Sequence, residues 1–355
     1  MTTSAISARF LPALLCLVLA ASTLGCIQIE LFGPGRGPLV ETVVHVHGSE
    51  KGAKLLLVEI DGVIGRGEAA ALFGSEPESS VARVREQLDR ARQDEALQGI
   101  LLRIDSPGGG ATASDVIYGE LERFKRDRGL PVVAHLFGLA ASGGYYVAMA
   151  ADEIVAEPTT VTGSIGVIGV SVNFSGLMDR FGVEDQTTKA GAYKDTGSML
   201  RPQTAEDRAI LQGVIDDLHE RFRVVVARGR PKLGRERVDA LSDGRIYSAP
   251  QALENGLVDQ VGDIEAAVSA LEARVGVASS YVVSYHRPSE WRRNLYTRSP
   301  IASPRTGNLE GGSRTPGLAP GFHYLWQPGL SDPLLAPVLE SLSDPLSRPR
   351  RALFP

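Results

Sequence analysis

The chain has 355 residues, of which 43% are apolar and 22% charged, and a net charge of −5. Such values belong to a soluble globular protein of one large or two ordinary domains, and they exclude a collagen, a disordered chain and a multi-span membrane protein. Two cysteines, six scattered histidines and a negative balance also argue against a disulfide framework, a thiolate metal site and a general nucleic-acid binder.

Residues 1–26 read as a targeting segment. Arg9 is followed by an uncharged, mostly apolar stretch, Phe10–Gly25, too short for a comfortable membrane span but suited to an export signal. It ends Ser22-Thr23-Leu24-Gly25-Cys26, and a small residue before cysteine resembles a bacterial lipoprotein cleavage site, with Cys26 as the acylated residue. The match is imperfect because Thr23 stands where leucine is usual, so an uncleaved N-terminal anchor stays open beside lipidation. Both readings tie the body to a membrane, outside the cytoplasm. Residues 27–50 read as a linker through Gly33-Pro34-Gly35-Arg36-Gly37-Pro38, with Val40–Val46 as a stray edge strand. His45 and His47 alternate there and share a face, but no third metal ligand accompanies them.

From residue 51 to 286 strands and helices alternate. Lys54–Ile60 is an apolar run that reads as a buried strand, Ser79–Leu97 as an amphipathic helix, and Gly99–Ile104 as the next strand. Thr112–Arg128 is a helix with Val116, Ile117, Leu121 and Phe124 inward. Pro131–Leu136 is a strand, Gly138–Gly144 a small-residue turn, Tyr145–Ala151 a short helix and Glu153–Ala156 a strand. This order predicts an α/β protein with a largely parallel sheet covered by helices. Gln203–Arg228 is a long helix whose stripe of Leu211, Val214, Ile215, Leu218, Phe222, Val225 and Val226 suits core or subunit packing. From Arg287 to Pro355 nine arginines, five acids, no lysine and eleven prolines, with no sustained period, read as a disordered tail.

Three loops carry candidate chemistry. Asp105-Ser106-Pro107-Gly108-Gly109-Gly110 lies between a strand and a helix, and its N–H groups are able to hold an oxyanion or a phosphate. No Gly-Lys-Ser/Thr follows, which rules out a Walker loop. Ser142, in Ala140-Ala141-Ser142-Gly143-Gly144-Tyr145-Tyr146, is sterically open at a helix start, as a nucleophile or as a plain N-cap. A serine nucleophile needs a base, and no histidine lies between His135 and His219. Lys194, in Gly191-Ala192-Tyr193-Lys194-Asp195, serves if burial keeps its amine neutral. The hydroxyls of Thr162-Gly163-Ser164 are candidates to orient it, or simply cap a turn.

Together, Ser-Pro-Gly-Gly-Gly, Ala-Ser-Gly-Gly-Tyr-Tyr, Thr-Gly-Ser-Ile-Gly-Val and Gly-Ala-Tyr-Lys-Asp resemble the signal peptide peptidase A family of serine proteases, in its short single-repeat form. Gly244-Arg245-Ile246-Tyr247-Ser248 and the stretch to Gly262 look like the family's C-terminal signature. The resemblance runs from about residue 54 to 275. It implies a ClpP/crotonase-like fold of repeated β-β-α units, with the long helix used in oligomer packing. By position it makes Ser142 the nucleophile, Lys194 (the lysine before Asp195, not Lys189) the general base, Gly109 and Gly143 the oxyanion donors, and Ser164 the hydroxyl that orients the lysine. It further implies a homo-oligomer in which serine and lysine meet across a subunit boundary. The implied substrates are signal-peptide remnants in the membrane, with no nucleic acid, metal or cofactor. Two other classes stand beside it: an inactive envelope scaffold of the same fold, opposed by the intact Ser142, Lys194 and Gly109, and a crotonase-type acyl-CoA enzyme, opposed by the export signal. A ClpP-like Ser-His-Asp triad is opposed by the missing histidine.

Overall fold

The computed structural model describes residues 37–65, 79–288, 290 and 292–297, together with the backbone of 322–325. The targeting segment with Cys26 and most of the tail lie outside the described residues. Among the described residues no helix is long and apolar enough to cross a membrane.

The elements follow the predicted alternation. β1 (Val40–His47) and β2 (Ala53–Asp61) precede α1 (Ser80–Gln93), β3 (Leu97–Ser106), β4 (Gly108–Gly110) and α2 (Ala111–Arg128). β5 (Val132–Ala141), α3 (Gly143–Ala148), β6 (Glu153–Ala156), β7 (Val161–Gly163) and β8 (Ile168–Gly169) follow. Then come α4 (Ser175–Phe181), α5 (Ala205–Gly229), α6 (Gly234–Leu241), β9 (Ile246–Ser248) and α7 (Ala249–Glu254). β10 (Gln260–Val261), α8 (Ile264–Val275), β11 (Ser280–His286) and β12 (Phe322–Leu325) complete the order.

The main sheet runs β1-β11-β2-β3-β5-β6-β10, parallel from β11 through β10, with β1 antiparallel at one edge. Its central strands are covered on both faces, which is why β2 and β3 read as continuous apolar runs rather than alternating ones. Leu56, Val58, Ile100, Leu102 and Ala134 face one core with Val84, Leu88, Ile117, Leu121 and Phe124 of α1 and α2. Leu55, Leu57, Leu101, Val133 and Val155 face the other with Ile264, Val268 and Leu271 of α8. This is the α/β architecture that the order of elements predicted, in the ClpP/crotonase-like form that the resemblance implied.

Four expectations change. Val40–His47 is a full strand paired with β11, so the folded body begins before residue 51. His45 and His47 do share a face, but they meet carboxylates of α8, His45 at 3.0 Å from Glu265 and His47 at 2.9 Å from Glu272. Val116 is 40% exposed rather than inward. The segment after Arg287 begins as core: Arg292, Leu295 and Thr297 are buried. Arg292 pairs with buried Glu59 on β2 and donates to the Thr297 carbonyl at 2.7 Å, and Arg103 on β3 donates to the Leu295 carbonyl. Composition alone hid this root, because its charges are satisfied by partners some two hundred residues away in the chain.

Candidate active site

The site begins where β3 ends. Ser106 donates to the Gly62 carbonyl at 2.5 Å and accepts from the Gly108 N–H at 3.1 Å, fixing the turn after Asp105. Ile64 then forms a parallel bridge to Gly109: the Ile64 N–H donates to the Gly108 carbonyl and the Gly110 N–H to the Ile64 carbonyl, both at 2.8 Å. With Gly108 and Gly110 bonded on that side, the N–H of Gly109 points to the opposite edge, where β12 pairs with β4. A Cβ on Gly109 would stand 2.0 Å from the Ile64 carbonyl oxygen. The glycine is therefore required by close approach of a second backbone. Ile64 was not singled out in the sequence, since a lone residue after Gly62 carries no strand signal.

β5 extends through Ala141, further than expected. Leu139–Ala141 pair in parallel with β7, and this tertiary ladder keeps a small-residue stretch extended where propensity alone suggests a turn. The turn is concentrated in Ser142, which has φ +53° and ψ −116°. For a residue with a Cβ this is a strained conformation, costing on the order of 1–3 kcal/mol. A sharp strand-to-helix elbow of this kind presents a nucleophile at its apex. The strain is held by the Ser142 N–H, which donates to the Gly163 carbonyl at 2.8 Å, and by the Ser142 carbonyl, which accepts from Tyr146 at 2.8 Å. Below it α3 is fully buried, with the Tyr145 hydroxyl donating to the Leu257 carbonyl at 2.7 Å.

Ser142 makes no side-chain cap bond, so its hydroxyl is uncommitted to α3. Gly143 is the first helical residue, where geometry leaves the N–H without an intrahelical acceptor. The next residue, Gly144, lies so near the first loop that a Cβ would stand 2.8 Å from the Ser106 carbonyl oxygen. The glycine loop and the serine elbow are thus packed against one another.

Ser164 joins them through β7. It too has positive φ, +50°, and is held by its N–H donating to the Arg245 carbonyl at 2.8 Å. The stretch Gly244–Ser248 therefore has a mechanical role, since β9 pairs antiparallel with β7 and supports the backbone of Ser164. Ser164 is 7% exposed. Thr162 is a different case: its hydroxyl donates to the Ala140 carbonyl at 2.6 Å, so it braces the sheet and is not available to an amine.

Lys194 makes no hydrogen bond to Ser142, which is buried while the lysine is exposed. It lies on an arm, residues 168–204, that carries α4 and is largely exposed, and Lys194 is itself exposed. Its ammonium makes no hydrogen bond or ion pair among the described residues. The next residue is tightly held. Arg201 Nε donates to Asp195 at 2.8 Å and Lys189 Nζ to the same carboxylate at 2.6 Å. Arg201 Nη1 also reaches Asp207 at 2.5 Å, the residue of the α5 capping box with Thr204. The hydrogen bonds from Arg201, then Lys189, hold the Asp195 carboxyl well below the usual carboxylate range. This clasp at Asp195, Arg201 and Asp207 was missed in the sequence, where nothing distinguishes Arg201 from a surface arginine.

The buried histidine nearest in sequence cannot replace the lysine. His135 lies on β5 seven positions before Ser142, roughly 20 Å along an extended strand. Burial, reinforced by the Arg103 guanidinium, pushes its pKa down to about 4.

A model of peptidase family S49 matches residues 124–278, and a Clp protease model matches residues 68–160. A protein of Enterococcus faecium that carries the name signal peptide peptidase is 36% identical over 251 residues, covering 71% of this chain and 72% of its own length. The chain belongs to peptidase family S49. It is a serine peptidase of that family, as the names of further relatives indicate. Protease 4 of Haemophilus influenzae is 33% identical over 62% of this chain but only 35% of its own length. The chloroplastic serine protease SPPA of Arabidopsis thaliana is 30% identical over 74% of this chain and 40% of its own. This S49 chain therefore spans well under half of those two longer relatives.

Proposed function

We propose that this S49 peptidase is a membrane-associated endopeptidase with a Ser142–Lys194 dyad, and that it degrades cleaved signal peptides and other membrane-derived polypeptides. The observation that carries the reading is the strained elbow at Ser142, packed against the glycine strand whose Gly109 N–H is turned away from Ile64. Neutral Lys194 takes the Ser142 proton as Oγ bonds to the substrate carbonyl carbon. The N–H groups of Gly109 and Gly143 hold the oxyanion, each worth about 3–4 kcal/mol in the transition state. The protonated amine then gives its proton to the leaving nitrogen as the C–N bond breaks. Water, activated by the same lysine, releases the acyl group. Ser164 positions the amine.

In this reading Lys194 reaches Ser142 from a neighbouring subunit. What supports it is the exposure of the arm's apolar residues, with Phe181 71% and Tyr193 56% exposed in the single chain. Covering them in an assembly would also shut water out from around Lys194, as proton transfer by an amine base requires. The membrane tie rests on residues 1–26, with Cys26 as the lipidation point, and intact mass of the membrane form tests it: loss of residues 1–25 with added acyl chains supports lipidation.

The dyad is tested by complementation. Ser142→Ala and Lys194→Ala each abolish peptide hydrolysis while the assembly persists. Co-assembling the two inactive chains restores part of the activity, because a serine from one meets a lysine from the other. Near-normal turnover by Lys194→Ala sinks the dyad, and silence of the mixed assembly sinks its sharing between subunits.

A further inference from the structure

Asp115 is half-buried on α2, apart from the loops that carry the candidate chemistry, yet its carboxylate collects hydrogen bonds from two other helices. The Tyr146 hydroxyl donates to Asp115 Oδ1 at 2.5 Å. Arg221 donates to the same oxygen, through Nη2 at 2.8 Å and Nε at 3.1 Å. Tyr146 is fully buried on α3, its ring centre 4.9 Å from that of Phe222 on α5 and 5.6 Å from that of Tyr118 on α2. A hydroxyl so placed needs an acceptor inside the protein, and a carboxylate is a stronger one than a neutral group.

Each of the three helices continues from one part of the candidate site. α2 starts directly after the glycine strand β4, and Asp115 stands in its second turn. α3 starts directly after Ser142, and the Tyr146 N–H donates to the Ser142 carbonyl at 2.8 Å. α5 starts directly after the arm that carries Lys194, with its first-turn Asp207 clasped by Arg201. Arg221 lies fourteen residues beyond Asp207, roughly 21 Å along the helix. The paired tyrosines fasten α3 on two sides, Tyr145 to the Leu257 carbonyl and Tyr146 to Asp115. One carboxylate oxygen therefore joins the segments that follow the serine, the glycine strand and the lysine arm.

We infer that Asp115 is a positioning residue for hydrolysis, holding the serine elbow in register with the glycine strand and with the helix that continues from the arm. The inference rests on the reading of Ser142 as the nucleophile. Asp115 touches no reacting group. It acts through Tyr146, whose backbone closes the turn at Ser142. A misplacement of about 1 Å between reacting groups costs about 10²-fold in rate, so loosening this carboxylate lowers kcat more than substrate binding.

The test uses the full assembled chain, a fluorogenic peptide and a temperature well below melting. Asp115→Ala lowers kcat about 30-fold and leaves KM within about twofold, as a loss of positioning requires. Tyr146→Phe, which removes only the hydroxyl, lowers kcat about tenfold in the same way. Asp115→Asn keeps an oxygen for Tyr146 and recovers part of the kcat. The rate at which a fluorophosphonate labels Ser142 falls in parallel, since it reads the serine and its surroundings without a leaving amine. Arg223→Ala is the control: it removes ion pairs to Glu220 and Asp239 on the same helix and leaves kcat unchanged. A lowered melting temperature with wild-type kcat and labelling makes Asp115 merely structural and overturns the inference. An equal loss of kcat in Arg223→Ala overturns it as well. Where Asp115→Ala fails to fold, Tyr146→Phe and Asp115→Asn decide, and wild-type kcat in both overturns the role. Wild-type hydrolysis by Ser142→Ala refutes the reading of the elbow itself, and the positioning role falls with it.

Discussion

Two serines and one glycine carry conformations that their neighbours in sequence do not require. Ser142 and Ser164 both hold positive φ, and each is pinned by a backbone bond from a different strand connection, Gly163 for Ser142 and Arg245 for Ser164. Residues kept in such conformations are over-determined by their surroundings, and the strain aims a side chain. Gly109 shows the converse, an ordinary backbone with no room for a methyl group. Gly109→Ala forces the glycine strand away from Ile64 and displaces the proposed oxyanion donor. A fall in kcat of about 10²–10³-fold is expected, the magnitude for losing one such donor, with a smaller change in KM. Steady-state kinetics checks this, and an unchanged kcat removes Gly109 from the site.

The elements differ in how they are supported. α5 is anchored at its C-terminal half, where Phe222, Val225 and Val226 are buried, whereas Ile210 and Val214 near its start are 41% and 39% exposed. The apolar stripe read from the sequence is thus two surfaces in series, one belonging to the core and one open in the single chain. The arm before it owes its order to the charged clasp rather than to a core. Arg201→Ala releases Asp195 and the start of α5 together. Because the proposed base Lys194 adjoins Asp195, kcat is expected to fall at least tenfold, while the melting temperature of the main sheet changes little. The positioning role is separated from a merely structural one by Arg201→Lys, which restores one bond to Asp195 and part of the kcat. Equal loss in both variants, with a lowered melting temperature, contradicts it.

At the scale of the molecule, the sheet is held to the segment after β11 by a buried charge cluster. Glu59, Arg103 and Arg292 are 4%, 1% and 5% exposed, and Glu59 pairs with both arginines. Removing one member of a buried set leaves the rest under-compensated. Arg292→Ala is expected to lower stability by about 3 kcal/mol, at the low end for a broken buried pair because Arg103 remains. Chemical denaturation measures this.

Much of the fold, and the loops that carry the candidate site, were legible from the chain alone. The order of strands and helices follows from local apolar periodicity, and the α/β class follows from that order. Ser142, Gly109 and Ser164 stood out because glycine-flanked loops between a strand and a helix are short, local signals. The tertiary structure decided what local signals cannot contain. Ile64 fixes which way the Gly109 N–H is turned, β7 and β9 strain the two serines into place, and Thr162 is taken by the Ala140 carbonyl. Lys194 is exposed on its arm, and a tail that composition marks as unstructured returns a buried root to the core and a strand to β4 and β8. Each of these depends on contacts between segments far apart in sequence, where satisfying backbone groups and buried charges outweighs intrinsic preference.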